Sequence, residues 1–378
     1  MQNDCRICQS EFYNLPLLSF NNMPKAAQFM PDADSLEGDK GVSLEVYQCS
    51  GCGLVQLSND PVPYYREVVR ATAFSKEMIG FRMEQFKDFV SRYALQGRKV
   101  VEIGCGRGEY LTIMEDAGAY AYGLEYSENS VMKCVASGLQ VNQGFMETAD
   151  VRLKNAPFEA FFIMSFLEHL PDPNTVLQGI NKNLCDGGVG LVEVPNFDMI
   201  IKNNLFSEFI GDHLFYFTRE TLKNTLSRNG FEVVECENVW HNYIISATVR
   251  KRKPLNLSPF LTVQNKIKKE LTEYFEKFPE KKVSVWGAGH QALAVIALAD
   301  LHDKIRYVVD SASFKQGKYT PATKILIVPP NTLNEDPVEA VIVMAAAYSN
   351  EVVGILHSDY PHIKNIAILE ESGIRELS

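Results

Sequence analysis

Two acid–histidine pairs stand out in this 378-residue chain because their side chains can move protons. Glu168-His169 follows an apolar run at 160–166, and Asp212-His213 lies in a loop further along the chain. Histidine has an unperturbed pKa of roughly 6.5, so it accepts a proton near neutrality, and a neighbouring carboxylate can orient its ring. The pattern predicts a general base at His213 assisted by Asp212. The alternative is that each histidine only caps or packs a turn.

Two C-x-x-C pairs near the N-terminus have the spacing of a metal site. Cys5 and Cys8 form the first pair, and Cys49 and Cys52 form the second. Each pair can place two thiolates on one ion, and two pairs complete a closed tetrahedral zinc site. A redox role is less expected because no βαβ pattern surrounds either pair. The spacing predicts one structural zinc, with four unrelated buried cysteines as the alternative.

The stretch that must position the acid–histidine pairs is VVEIGCGRGEYL at 100–111. An apolar strand, a glycine-rich turn and a helix start are the opening unit of a doubly wound α/β sheet. Gly104, Gly106 and Gly108 let a ligand approach the backbone and the free N–H groups of the helix. Their spacing differs from the dinucleotide fingerprint G-x-G-x-x-G. Glu102, two residues before the turn, suits an ammonium group better than a pyrophosphate.

Further strands should bring the candidate residues to one rim of this sheet. The second strand ends in Glu125, at the position that usually binds ribose hydroxyls. The run at 160–166 reads as a buried fourth strand and 189–194 as the fifth. Because ligands bind beyond the carboxyl ends of parallel strands, we expect both acid–histidine pairs there. Asn196, after the fifth strand, is a candidate substrate contact, and Tyr216 is a further candidate base.

Composition limits the class of protein. The chain is 46% hydrophobic and 22% charged, which is enough to bury a core, and its length predicts two or three domains. A formal net charge of -10 argues against nucleic acid or an anionic membrane as the main partner. The polar start MQNDCRICQS shows no signal-peptide pattern, so we expect a cytoplasmic location.

Two proline-bearing breaks predict three domains, at 1–75, 76–252 and 253–378. Ser75 is a plausible N-cap for the helix that follows the first break. The segment before this helix holds Tyr65 and Arg70, which are either pocket residues or surface residues. The last domain contains Gly287, Gly289 and His290 in a second strand–turn–helix whose spacing matches G-x-G-x-x-A. On motif alone, that turn could bind NAD.

The E-x-G-x-G-x-G turn with a strand-end glutamate resembles class I S-adenosylmethionine methyltransferases. The resemblance implies that the turn holds the methionine part of the cofactor, that Glu125 holds the ribose, and that 143–147 lies near the adenine. The full set of expected cofactor residues is Glu102, Gly104, Cys105, Gly106, Gly108, Glu125, Tyr126, Phe145, Met146 and Ser165. The expected fold is a seven-stranded Rossmann-like sheet.

The order of parts resembles one family, the nucleotide-sugar C-methyltransferases. They combine a four-cysteine zinc domain, a class I methyltransferase domain and a Rossmann-like C-terminal domain that holds the substrate. The family's acid–histidine motif matches His213, although Asp212 stands where glutamate is usual and Ile210 where tyrosine is usual. The expected substrate contacts are Tyr65, Arg70, Asn196, Gly287, Gly289, His290 and Lys318.

This resemblance implies a methyltransferase that acts on carbon next to a ketone of a nucleotide-linked sugar. The expected catalytic residues are His213, Asp212, His169, Glu168 and Tyr216. We expect a monomer or a small homo-oligomer. O- or N-methylation of a polar metabolite is an alternative, and an NAD-dependent oxidoreductase that uses the C-terminal turn is another.

Overall fold

The chain forms two compact units, residues 1–253 and residues 254–378, in a computed structural model. The structure describes residues 4–25, 27–28, 30–67 and 75–377. Arg70, an expected substrate contact, lies outside these residues. The boundary at residue 253 falls within the break predicted from the charged, proline-bearing stretch 251–259.

The first unit alternates strands and helices along most of its length. Its strands are β1 (Leu18–Met23), β2 (Val42–Gln48), β3 (Val55–Leu57), β4 (Lys99–Ile103), β5 (Tyr120–Glu125), β6 (Gln140–Gln143), β7 (Phe158–Met164), β8 (Leu184–Pro195), β9 (Phe215–Tyr216), β10 (Phe231–Val239) and β11 (Ile244–Lys251). Its α-helices are α1 (Lys76–Arg92), α2 (Glu109–Asp116), α3 (Glu128–Ala136), α4 (Pro173–Asn183), α5 (Phe197–Asn203) and α6 (Arg219–Arg228). Short 3₁₀ turns occur at Leu36–Gly38, Leu167–His169 and Phe206–Glu208.

The main sheet has the strand order β10-β11-β8-β7-β4-β5-β6. Neighbours from β8 to β6 are parallel, whereas β11 is antiparallel to both β8 and β10. Helices cover both faces, with Phe86 and Met114 packed on one side and Leu177 and Leu222 on the other. The predicted Rossmann-like α/β fold is confirmed, and its seven strands over the described residues match the number expected.

Local sequence signals explain where several helices begin. The Ser75 hydroxyl accepts from the Met78 amide at the start of α1, and Thr218 caps α6 together with Thr221. The Ser75 cap agrees with the prediction, and Thr218 also has a residue type that N-caps favour. The sequence Asp186-Gly187-Gly188 is typical of a helix C-cap, but α4 already ends at Asn183 and these residues belong to β8.

A smaller sheet in the first unit has the order β1-β2-β3-β9. Strand β9 follows the Asp212-His213 loop and pairs with β3, so that Gln56 lies opposite Phe215. The Leu57 amide also donates to the Leu214 carbonyl at 2.9 Å. The N-terminal sheet and the loop with His213 are therefore parts of one structure. The division of this unit at residue 75 stays a prediction.

The second unit is also an α/β sheet. Its strands are β12 (Val283–Trp286), β13 (Ile305–Val309), β14 (Ile327–Val328), β15 (Ala340–Val343), β16 (Asn365–Glu370) and β17 (Gly373–Leu377), in the order β14-β13-β12-β15-β16-β17. Its helices are α7 (Ser258–Phe275), α8 (His290–Leu298), α9 (Thr332–Glu335) and α10 (Ser349–Asp359), with a 3₁₀ turn at Ala346–Tyr348. All pairs are parallel except β16–β17. Among the described residues of the whole chain, no helix combines the length and apolar character needed to cross a membrane.

Candidate active site

A cavity of about 550 Å³ in the first unit opens at the carboxyl ends of β7 and β8. This is the rim at which parallel α/β sheets bind ligands. The residues that line it include Tyr64, Tyr65, Arg82, Tyr110, Ser165, Phe166, Glu168, His169, Pro195, Asp212, His213, Trp240 and Tyr243. The structure therefore brings both predicted acid–histidine pairs to one cavity.

The orientation of His169 is fixed by the backbone. Its Nδ1 lies 2.7 Å from the Asp212 carbonyl oxygen, so Nδ1 carries the proton and donates. Its Nε2 then presents a lone pair and lies 3.9 Å from Glu168 Oε1. The rings of His169 and His213 meet edge to face with centroids 4.8 Å apart. The two imidazoles and the Glu168 carboxyl thus form one cluster.

Burial keeps the members of this cluster neutral near pH 7. Burial, followed by the neighbouring His169, lowers the pKa of His213 to about 3. Burial also lowers the pKa of His169 and raises the pKa of Glu168 to about 8. Within the described residues, Glu168 Oε2 is buried and has no hydrogen-bond partner. A neutral imidazole can accept a proton, and a nearby carboxyl that then ionises would stabilise the imidazolium.

The carboxylate of Asp212 has a different task from the one expected. Its Oδ1 accepts from the Tyr64 hydroxyl at 2.6 Å, and its Oδ2 accepts from the Ala27 amide at 3.1 Å. Asp212 orients His169 through its main-chain carbonyl. This corrects the expectation that the carboxylate lies beside the His213 ring. The carboxylate instead ties two N-terminal segments to the cavity.

The side chains of Tyr216 and Asn196 form hydrogen bonds within the protein. The Tyr216 hydroxyl accepts from the Ile210 amide at 3.0 Å and donates to the Ile210 carbonyl at 3.3 Å. Asn196 caps α5 and donates its Nδ2 to the Asn242 carbonyl at 2.7 Å. Neither is among the described residues that line the cavity. Direct contact of Tyr216 and Asn196 with reacting groups stays a prediction, and the structure shows both side chains engaged in hydrogen bonds within the protein.

The acid at the end of β5 shapes the glycine turn. Glu125 Oε2 accepts from the Gly106 amide at 2.8 Å, and Oε1 accepts from the Ser127 amide at 2.9 Å. A carboxylate has about four acceptor sites, so ribose hydroxyls can be added to these bonds. The position expected to bind ribose is therefore occupied by a buried, well-held carboxylate.

Two glycines of the turn face protein atoms. Gly104 has φ +70°, and an added Cβ would lie 2.6 Å from the Phe166 ring. Gly108 has φ +86°, and an added Cβ would lie 2.3 Å from Leu139. These glycines are needed for left-handed backbone and for close packing, in addition to any ligand. Cys105 is buried, with its sulfur against Gly123.

The residues expected near the adenine do lie together. Gly104, Tyr126, Phe145 and Met146 line one small pocket with Arg66. The Arg66 guanidinium lies 5.3 Å from the Phe145 ring and pairs with Glu147 at 3.1 Å. Of the remaining cofactor candidates, Ser165 lines the main cavity and Glu102 is fully buried on β4.

Several cavity residues were not singled out from the sequence. Arg82 on α1 pairs with Glu193 on β8 at 2.5 Å, and both side chains are almost fully buried. An arginine on the buried stripe that holds Met78 and Phe86 is a signal that could have revealed this pair. Trp240 comes from the β10–β11 hairpin, and no spacing pattern marks it.

The four N-terminal cysteines form a compact cluster. Their sulfur atoms all lie within 4.8 Å of one another, with Cys8 and Cys49 at 3.3 Å and Cys5 and Cys52 at 3.7 Å. Zinc–sulfur bonds of about 2.3 Å in a tetrahedron would separate the sulfurs by roughly 3.8 Å. The Gly51 and Cys52 amides both donate to Cys49 Sγ at 3.3 Å. The donor set and its spacing fit zinc.

The second unit repeats the arrangement of acid and turn. Asp310, after β13, accepts from the Ala288 amide at 2.8 Å and from the Ala312 amide at 2.9 Å. Lys315 Nζ pairs with the same carboxylate at 2.9 Å. Gly287 has φ +125° and Gly289 caps α8, while His290 and Lys318 are exposed. The acid that would bind a dinucleotide ribose is thus partly neutralised by Lys315.

Comparison with known proteins gives two family matches. Residues 78–236 match the methyltransferase domain family, and residues 252–360 match the C-methyltransferase C-terminal domain family. The chain is similar to the C-methyltransferase NovU of Streptomyces niveus, with 24% identity over 93% of this chain and 91% of that protein. A ubiquinone biosynthesis O-methyltransferase of Bordetella avium is 31% identical over 25% of this chain and 42% of its own length.

Two solved structures show weaker overall likeness. A S-adenosylmethionine-dependent methyltransferase from Clostridium acetobutylicum superposes with a TM-score of 0.38 and 10% identity, covering 46% of this chain and 92% of that one. An S-adenosylmethionine-dependent methyltransferase from Mesorhizobium loti gives a TM-score of 0.36 and 16% identity, covering 44% of this chain and 99% of that one.

Proposed function

We propose that the chain is an S-adenosylmethionine-dependent methyltransferase and that it methylates a carbon atom next to the ketone of a nucleotide-linked sugar. The observation that carries this proposal is the cluster of His213, His169 and Glu168 on one cavity at the sheet rim. Support for carbon as the acceptor comes from similarity to a C-methyltransferase over nearly the whole chain, whereas the O-methyltransferase match covers a quarter.

In this reaction His213 accepts the proton from the carbon beside the ketone. The electrons of that C–H bond become the enolate, whose carbon forms the new bond to the methyl group. When bound, S-adenosylmethionine would supply the electrophilic methyl group, and the C–S bond electrons would stay on sulfur in the neutral thioether product. The imidazolium of His213 favours ionisation of the neighbouring Glu168, whose proton then passes to bulk water, so the buried cluster stays close to neutral overall. Positioning by the cavity walls supplies much of the remaining rate enhancement.

The cofactor is held by the first unit in this proposal. Glu125 would accept from the ribose hydroxyls, and the turn at 104–108 would hold the methionine part. Tyr126, Phe145 and Met146 would hold the adenine, since they line one pocket with Gly104. Ser165 lines the main cavity together with His169 and His213.

We also propose that Cys5, Cys8, Cys49 and Cys52 hold one structural zinc. The fit rests on four thiol donors within 4.8 Å and on the two amides that donate to Cys49 Sγ. Thiolates that accept backbone N–H bonds are typical of structural zinc knuckles, because those bonds fix the ligands' orientation. The ion would stabilise the small N-terminal sheet.

For the nucleotide part of the substrate, we propose the turn of the second unit, with Gly287, Gly289, His290 and Lys318 as contacts. An NAD-dependent oxidoreductase is supported less well, because Lys315 and two amides already occupy Asp310. O-methylation would use His213 on a hydroxyl group and stays the alternative within the methyltransferase class.

The test is proton exchange in the absence of a methyl donor. We expect the protein with S-adenosylhomocysteine to exchange the proton beside the ketone of a nucleoside-diphosphate 4-keto sugar in D₂O. Losing a general base costs on the order of 100- to 10,000-fold, so His213→Asn should slow exchange by about that factor. His302→Asn, an exposed histidine of the second unit, is the matched control and should exchange normally. Undiminished exchange by His213→Asn would remove His213 as the base.

A further inference from the structure

The hairpin between β10 and β11 has an unusual backbone. Trp240, His241 and Asn242 have φ values of +45°, +56° and +65°. L-residues visit this left-handed region singly, and bulky side chains such as tryptophan rarely adopt it. A run of three such residues persists only where surrounding contacts fix it, and such strain clusters at functional sites.

Buried contacts hold this hairpin. The Asn196 amide donates to the Tyr243 carbonyl at 2.8 Å, and Asn196 Nδ2 donates to the Asn242 carbonyl at 2.7 Å. Asn196 is 1% exposed, so both bonds are shielded from water. The Tyr243 hydroxyl donates to Glu208 at 3.0 Å. Asn196, directly after β8, therefore fixes the strained turn through hydrogen bonds to two successive carbonyls.

The consequence of this backbone is the position of the indole. Trp240 is half-buried and lines the cavity that His169 and His213 also line. The Phe81 ring packs against the Trp240 indole, with ring centroids 5.3 Å apart. In the sheet order, β7 and β8 separate the hairpin from the strands that carry the glycine turn and Glu125. Trp240 therefore lies on the acceptor side of the cavity.

We propose that Trp240 is the platform on which the sugar ring of the acceptor packs, and that Asn196 positions it through the hairpin. This inference rests on the proposed function and adds a specificity-determining residue to it. The axial C–H groups of a pyranose carry partial positive charge, and the face of an indole carries negative charge. A flat aromatic wall would hold the ring by that face while the ketone side meets the histidines.

The chain offers a direct optical test because it has two tryptophans, Trp240 and Trp286. Trp286 is 3% exposed on β12 of the second unit. Trp286→Phe leaves Trp240 as the single tryptophan, and under selective tryptophan excitation a nucleoside-diphosphate 4-keto sugar should change its fluorescence. The nucleoside diphosphate alone and S-adenosylhomocysteine should change it much less. An unchanged emission at saturating sugar nucleotide, or an equal response to the nucleoside diphosphate, would overturn the proposal.

Kinetics give the second readout. Trp240→Ala should raise the KM for the sugar nucleotide about tenfold and leave kcat and the KM for S-adenosylmethionine nearly unchanged. Trp240→Phe should recover most of the affinity, and Asn196→Ala should resemble Trp240→Ala. An unchanged KM in Trp240→Ala overturns this inference alone. Failure of the wild-type chain to methylate any keto-sugar nucleotide overturns the proposed function as well, so the two failures are distinguishable.

Discussion

At the scale of single residues, burial decides the chemistry of the cavity. Glu168 is 1% exposed, and the half-buried ring of His213 meets the ring of His169 edge to face. Taking these groups out of water disfavours their charged forms, which moves their pKa values in opposite directions. The cavity therefore holds a proton acceptor and a proton donor side by side, both neutral at neutral pH.

The raised pKa of Glu168 predicts a pH-dependent stability. Folding moves this pKa from 4.5 to about 8, so between those values the folded state holds a proton that the unfolded state releases. Stability then falls as the pH rises, by up to about 1.4 kcal/mol per pH unit. His213 acts in the opposite sense. Folding lowers its pKa from 6.5 to about 3, so the stability of the folded state decreases as the pH falls between those values.

Between pH 6.5 and pH 8, Glu168 is thus the member of the pair that changes stability. Urea unfolding across this range should show a slope in the wild-type chain that Glu168→Gln removes. Glu77→Gln, an exposed carboxyl on α1, should keep the wild-type slope. Parallel curves for Glu168→Gln and the wild type would contradict the account.

At the scale of elements, the pairing of β3 with β9 connects the cysteines to the histidine loop. Gln56 on β3 donates its Nε2 to Cys5 Sγ at 3.2 Å, and its backbone pairs with Phe215 of β9. The segment before β9 carries Asp212 and His213. One short strand pair therefore connects the cysteine cluster to the segment that carries the proposed base.

Removal of the proposed zinc should then weaken catalysis more than cofactor binding. Chelation should loosen β3 and β9 and lower kcat, whereas the Kd for S-adenosylmethionine should stay within about threefold, since Glu125 and the glycine turn lie on other strands. Metal analysis and calorimetry on the same sample check this. Less than half an equivalent of zinc in unchelated protein, or an unchanged kcat after complete zinc removal, would count against it.

The elements that sequence predicted well are those set by neighbouring residues. The Ser75 cap and the bond from the Ser127 amide to Glu125 join residues only two or three positions apart. The hydrogen bond from Tyr64 to Asp212 joins residues 148 positions apart, so no local sequence pattern could predict it. The two-residue strand β9 and the left-handed turn at Trp240 could not be predicted from the sequence for the same reason. Long-range contacts override local preference at both places.

At the scale of the whole molecule, the chain is two units with separate cores. Leu271 and Val285 belong to the core of the second unit, whereas Phe161 and Leu177 belong to the first. Each unit has its own sheet and its own strand–turn–helix. This organisation allows the cofactor and the nucleotide to be recognised by different units.

Calorimetry should therefore resolve two unfolding transitions. S-adenosylmethionine should raise the Tm of the transition of residues 1–253 and leave the other nearly unchanged, because a ligand stabilises only the state that binds it. Residues 1–253 expressed alone should show the same shift. A Tm shift confined to the transition of residues 254–378 would contradict a cofactor site in residues 1–253.

The central claim is that the methyl group is transferred to carbon. The most direct measurement is NMR of the product formed from S-adenosylmethionine carrying a ¹³C-methyl group and a nucleoside-diphosphate 4-keto sugar. The account predicts a methyl carbon bonded to the ring carbon next to the ketone, with the loss of that carbon's proton. A ¹³C-methyl group found on oxygen or nitrogen would contradict it.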